Sequence, residues 1–167
     1  MKKIINYLSH IEIAIAAFLI IIGMFFPMFH IQIGTVDTDV NAWHAIAGIE
    51  SKSSSGIGKY LEFSFLCALP FILLAITIVL NVLFDNRHNV GAEVLKFLIF
   101  ISIFFMFIFY MRLVNPGPHY NNYNEIKRFL SARWGNYFCA VIVIVPIVLE
   151  IIELIIDVKK KLENKEG

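Results

Sequence analysis

Charged residues are scarce in this sequence. Only 16% of its 167 residues are Asp, Glu, Lys or Arg, and 59% are hydrophobic. A soluble domain carries about a quarter charged residues, so too little charge is present here to cover a water-facing surface. The formal net charge is +1, which leaves none of the clustered basic excess that nucleic-acid binding requires. Two cysteines are too few for a disulfide-rich scaffold. The chain contains no His-Glu-x-x-His, Gly-x-Ser-x-Gly or phosphate-loop pattern, the signatures of common hydrolases and nucleotide enzymes. It therefore points to no cofactor and no catalytic residue. Alternation of apolar and polar residues is also absent, which excludes a membrane β-barrel.

What is present is long apolar runs. About 20 such residues carry a helix across the hydrocarbon core, and four stretches qualify: 11–29, 60–84, 94–113 and 137–156. Within a bilayer the backbone must satisfy its own hydrogen bonds, so these runs read as helices. The sequence thus predicts an all-α four-helix transmembrane bundle, a single integral membrane domain over 1–167. The first run follows Lys2 and Lys3 as a secretory signal would, but it ends in bulky Phe25, Phe26, Pro27, Met28 and Phe29. Cleavage sites need small residues, so this helix is expected to be retained.

Orientation follows Lys and Arg. Lys2, Lys3, Arg87, Lys96, Lys159, Lys160, Lys161 and Lys165 fall on the side of the termini, against Lys52, Lys59, Arg112, Lys127, Arg128 and Arg133 opposite. The modest bias predicts both termini in the cytoplasm of a plasma-membrane protein. A polar turn (Asp85, Asn86, Arg87, His88, Asn89) then lies inside, with outer loops at 30–59 and 114–136 and a cytoplasmic tail at 157–167. In the first outer loop, Asp39 or Asn41 is placed to cap a short interfacial helix carrying Trp43. The serine-rich stretch 51–58 reads as a flexible linker. The second loop opens with Asn115-Pro116-Gly117-Pro118, a helix stop, and continues through Tyr120, Tyr123, Phe129 and Trp134 at interface level.

Few residues in the spans carry chemistry. Glu150, Glu153 and Asp157 share one face of the fourth helix, and ionisable groups in a span mark functional sites by default. They form a cation or proton site or an anchor for a partner helix. Otherwise the helix leaves the bilayer near Glu153 and the acids pair with Lys159, Lys160 and Lys161. Glu12, with His10 beside it, sits at the same end of the first helix and would share a pocket with Glu150 if the two faces meet. Arg112 either snorkels to headgroups or joins Lys127, Arg128 and Arg133 in a cationic outer cluster that would bind lipid phosphate. His30, Asp37, Asp39, His44 and His119 offer donors for zinc, without the spacing that pre-organises a site, and no metal is expected. Cys67 and Cys139 read as small buried hydrophobes. Pro70 and Pro146 interrupt their helices, to shape a cavity or merely to splay the bundle.

The Phe25-Phe26-Pro27-Met28-Phe29 exit, the later Trp43 and Gly48, and the turn Ala132-Arg133-Trp134-Gly135-Asn136-Tyr137 resemble features of small four-helix bacterial integral membrane proteins of unknown function. Met28 stands where those proteins have tryptophan. The resemblance covers the topology and implies no catalytic residue. Claudin and tetraspanin cysteine patterns are absent.

The sequence favours a non-enzymatic protein acting by protein–protein contact, as a subunit, regulator or immunity-type accessory. Its candidate surfaces are Glu12, Glu150 and Glu153 on one side and Trp43, His44, Arg112, Arg133 and Trp134 on the other. An oligomeric pore or small transporter lined by Glu150 and Glu153 is the alternative, and a lipid-handling enzyme using His44, Asp39 and Arg133 the third reading. Expected partners are the bilayer and either a membrane protein or further copies of the chain, with no nucleic acid.

Overall fold

The computed structural model of the protein describes residues 2–33, 36–53, 56–84, 90–117 and 123–166. Four helices are long and apolar enough to cross a membrane: α1 (Lys2–Phe25), α3 (Phe65–Phe84), α4 (Val90–Ile108) and α6 (Trp134–Glu166). Two short helices, α2 (Ala42–Ala47) and α5 (Tyr123–Ile126), lie in the connections. The expected all-α four-helix architecture stands, and the helices pack in the ring α1–α3–α4–α6, each beside its antiparallel neighbours. The buried core runs along the axis through Leu19, Leu74, Phe100, Ile103, Phe107 and Val143, all fully enclosed. Apolar side chains on the outer faces, among them Ile21, Val82, Leu98 and Ile155, stay exposed, as a lipid solvent requires.

At the end of the bundle where α1 and α4 finish, the connections are ordered rather than loose. Strands β1 (Pro27–Ile33), β2 (Val36–Asn41) and β6 (Leu130–Ala132) form one antiparallel sheet in the order β2-β1-β6. A second sheet places β4 (Gly56–Glu62) between β3 (Ile49–Ser53) and β5 (Asn115–Pro116). The span read as 11–29 therefore ends early. Pro27 disfavours helical backbone at the residue before it, and Met28, Phe29 and Ile31 become buried strand residues instead.

The stretch 51–58, expected to be a linker, is mostly hairpin, with Glu50 opposite Lys59 and Lys52 opposite Ile57. Serine and glycine leave the backbone free to pair, and the pairing is anchored where Leu61 also faces Pro116. The short interfacial helix does form. Asn41 Oδ1 accepts from the His44 N–H at 3.0 Å, capping α2. Gly48 ends α2 at φ +93°, a conformation costly for any residue with a Cβ.

The third span, read as 94–113, runs Val90–Ile108, and Tyr110–Leu113 forms a 3-10 turn. This shift brings Glu93 into the first turn of the helix that carries Lys96. Pro70 and Pro146 sit buried within continuous helices. The polar turn at 85–89, Pro118, His119, Tyr120, Ser54 and Ser55 lie outside the described residues.

Candidate functional site

Every long helix carries a polar pair at helical spacing, and all face the axis at the end of the bundle where the chain termini lie. Ser9 and Glu12 come from α1, Thr77 and Asn81 from α3, Glu93 and Lys96 from α4, and Glu150 and Glu153 from α6. All eight are buried. At 1.5 Å per residue, Glu150 and Lys96 lie about 9 Å inside their apolar spans and Glu153 about 5 Å.

Lys96 is the hub. Its Nζ lies 2.7 Å from Glu93 Oε2, 3.0 Å from Glu150 Oε1, 3.5 Å from Glu12 Oε2 and 3.7 Å from Glu153 Oε2. The same ammonium donates to Asn81 Oδ1 at 3.0 Å, and Ser9 Oγ donates to that oxygen at 3.3 Å. Four carboxylates thus surround one ammonium, a formal charge of −3 enclosed by hydrocarbon.

The carboxyls also crowd one another: one oxygen from each of Glu93, Glu150 and Glu153 fits within a 4.8 Å span. Two carboxylates form a hydrogen bond only when a proton sits between them. With every acid ionised, Glu12 Oε1, Glu150 Oε2 and Glu153 Oε1 have no donor. Burying unpaired charge costs several kcal/mol per ion, so the arrangement requires further positive charge to balance it.

The structure brings Glu12, Glu150 and Glu153 together as the shared pocket anticipated from their faces. Among the described side chains their cation is Lys96, which the sequence presents only as a charge flanking a span; the side chains of Lys160 and Lys161 lie outside the described ones. The side chain of Asp157 lies outside the described ones, and His10 is exposed.

The candidates at the opposite end are dispersed. Arg133 Nε donates to Asp39 Oδ1 at 2.8 Å, while His30 places Nδ1 2.9 Å from the same oxygen and Nε2 3.0 Å from Asp37. The hydrogen bond from Arg133, and next that from His30, hold the Asp39 carboxyl below the usual carboxylate range. The guanidinium of Arg112 lies 5.1 Å over the Phe109 ring, and that of Arg128 5.5 Å over Phe129. Arg112, Arg128 and Arg133 thus each have a separate contact. Trp43 and His44 are exposed on α2. Trp134, half-exposed, stacks edge-on against Phe26 and Phe138, in keeping with an aromatic belt at the membrane boundary. Asp39 and Arg133 do meet, but His44's described bonds are made by its backbone, its N–H to Asn41 and its carbonyl from Gly48. Cys67 and Cys139 are buried free thiols.

Four apolar helices closed around a buried charge cluster define a multi-pass membrane protein. No protein-family model and no curated protein matches the chain.

Proposed function

We propose that this is a non-enzymatic multi-pass membrane protein that binds added positive charge, as a proton or a metal ion, at the Lys96 cluster. The observation that supports it is the excess of acid. One carboxylate would neutralise Lys96, yet four converge on it with side chains no more than 8% exposed. Helix association alone needs no such excess, because a single polar pair or small-residue contact serves that purpose in membranes. Beyond the cluster the axis is filled by Leu19, Leu74, Phe100, Ile103 and Phe107, all fully buried. That packing favours a binding site reached from the terminal end over an open pore through one chain. The remaining flanking charges, Lys2, Lys3 and the run Lys159 to Lys161 at the termini, support a plasma-membrane reading with both termini cytoplasmic, as in the small bacterial four-helix proteins it resembles.

The test is infrared difference spectroscopy of the protein in lipid nanodiscs, on adding acid and, separately, divalent cations. The carboxylate bands of the wild type are expected to change under at least one addition, and Glu150→Gln should reduce that change. Identical spectra for the two proteins under both additions would overturn the reading.

A second reading, contact with a membrane partner or another copy of the chain, draws on the ordered platform at the opposite end. There β1 pairs with β6, Arg133, between β6 and α6, donates to Asp39 on β2, and Trp43 on the neighbouring α2 is 61% exposed. Co-purification from native membranes should return a stoichiometric protein that is lost on Trp43→Ala if this reading holds.

A further inference from the structure

The cluster's ligand class can be narrowed, and this inference rests on the binding site proposed above. From the donors that face the site, we infer that it takes protons and excludes metal ions, with Lys96 serving as a built-in cation in the place a metal would occupy. Glu93, Glu150 and Glu153 alone would make a plausible divalent site, since three oxygens within 4.8 Å suit hard cations. Lys96 Nζ lies against two of those three carboxylates, at 2.7 and 3.0 Å. A metal ion must displace the ammonium or sit beside it.

Asn81, on a different helix and not itself an acid, supplies an independent indication. It is 2% exposed and turned into the cluster, with Oδ1 3.0 Å from Lys96 Nζ, and its Nδ2 has no partner. Its oxygen, the atom that could ligate a hard cation, already accepts from Lys96 and Ser9, and its free N–H is a donor with nothing to offer a metal ion. It is suited to the oxygen of a neutral carboxyl or of a water molecule. A proton also solves the problem that the carboxyls present to one another, because a carboxylic acid at Glu150 can donate to a neighbouring carboxylate of the group that crowds within 4.8 Å.

Sharing Lys96 with Glu150 are Glu12 from α1, Asn81 from α3, Glu93 from α4, and Glu153 from its own helix, while Ser9 joins through Asn81. Among the described residues, Lys96 is the sole buried cation of this set. The step is simple in its balance. Hydronium from water at the terminal end gives its proton to a carboxylate oxygen, leaving water and a neutral carboxyl, and no electron moves.

Three samples in nanodiscs test this: wild type, Lys96→Gln and Asn81→Asp. Acid titration followed by infrared should show wild-type carboxylate bands giving way to protonated carboxyl bands. Saturating Mn²⁺, read by the loss of its free electron-spin-resonance signal, should leave the wild type unchanged. Lys96→Gln should bind Mn²⁺, because the competing ammonium is gone. Binding of Mn²⁺ by the wild type with proton release would overturn the inference while leaving the site itself standing. A wild type that responds to neither acid nor Mn²⁺ would remove both. A folded Lys96→Gln that fails to bind Mn²⁺ would also overturn the exclusion by Lys96. Should that variant not fold, Asn81→Asp decides. It keeps Lys96 and adds a fifth carboxylate, so it should take up about one more proton than wild type, whereas Mn²⁺ binding by it would refute the proposal.

Discussion

Replacing Lys96 by Met removes the ammonium and keeps much of the side-chain volume, so its cost isolates the charge. At an effective dielectric of about 20, a unit pair 3.0 Å apart attracts by about 5 kcal/mol, and desolvation returns part of that. Breaking a buried pair by deleting one partner costs about 3–5 kcal/mol when the remaining group stays charged. Here four carboxylates remain. In acid the same carboxyls are neutral, and the loss reduces to hydrogen bonds worth about 1–2 kcal/mol.

The penalty must therefore grow as pH rises, since rising pH ionises the acids that the missing ammonium would have balanced. For a chain of this length, 1 kcal/mol shifts Tm by roughly 2–4 °C. Thermal unfolding in detergent should then show Lys96→Met melting roughly 10 °C below wild type at alkaline pH and roughly 4 °C below it in acid. A gap that is constant across the range would mean that Lys96 acts through packing alone, and the charge-balance reasoning would fail.

Two further outcomes follow from the opposite end of the bundle. Gly135→Ala would bring a Cβ within 2.4 Å of the Pro27 carbonyl oxygen, so α6 must move away from β1 at a cost of about 1–3 kcal/mol; an unchanged unfolding midpoint would show that this contact is loose. Asp39, held low first by Arg133 and then by His30, should titrate below the usual value of about 3.9 when its carboxyl carbon is followed by NMR. A depressed folded-state value contributes stability above the unfolded-state value and loses it as pH falls through the folded-state one. The Arg133–Asp39 link should therefore hold until strongly acid pH, and Arg133→Gln should move the titration back upward.

The four spans were legible because nothing but hydropathy and length decides them. The charge cluster was half legible. Glu12, Glu150 and Glu153 stood out as acids near or inside apolar runs, but their partner did not. Lys96 fell two residues inside a span read as beginning at 94, where a lysine passes for a boundary charge. A better signal was in the sequence: Ser9 and Glu12, Thr77 and Asn81, Glu93 and Lys96, and Glu150 and Glu153 are all spaced by three or four residues, the interval that places side chains on one helical face. Four such pairs in four apolar helices mark a common polar layer. The sheets at the other end were illegible for a different reason. Strand β1 is seven residues long and continues the apolar composition of α1, and β5 has only two residues. Pairing across long sequence separations, such as His30 with Ser131, leaves no local periodicity to read.

The layer also separates what holds this bundle together from what it is available to do. Around the axis, Phe71, Phe107 and Tyr110 meet edge-on or tilted, with ring centroids 5.7–6.3 Å apart. Tyr110 donates to the Cys67 carbonyl at 3.0 Å, so its hydroxyl is satisfied. Such packing holds the helices together without charge, and it fills the half of the bundle nearer the sheets. If the polar layer existed only for cohesion, it would show the same economy, one donor for each acceptor. Instead it leaves three carboxyl oxygens and an amide nitrogen unmatched. Buried polar groups left unmatched are expensive; at the sheet end the neutral Asn136 side chain is unmatched as well, but the surplus of charge falls in the half of the bundle where the helix ends lie within about two turns of water. The imbalance is relieved by a species small enough to enter a packed core and positive enough to balance it, and a proton meets both requirements.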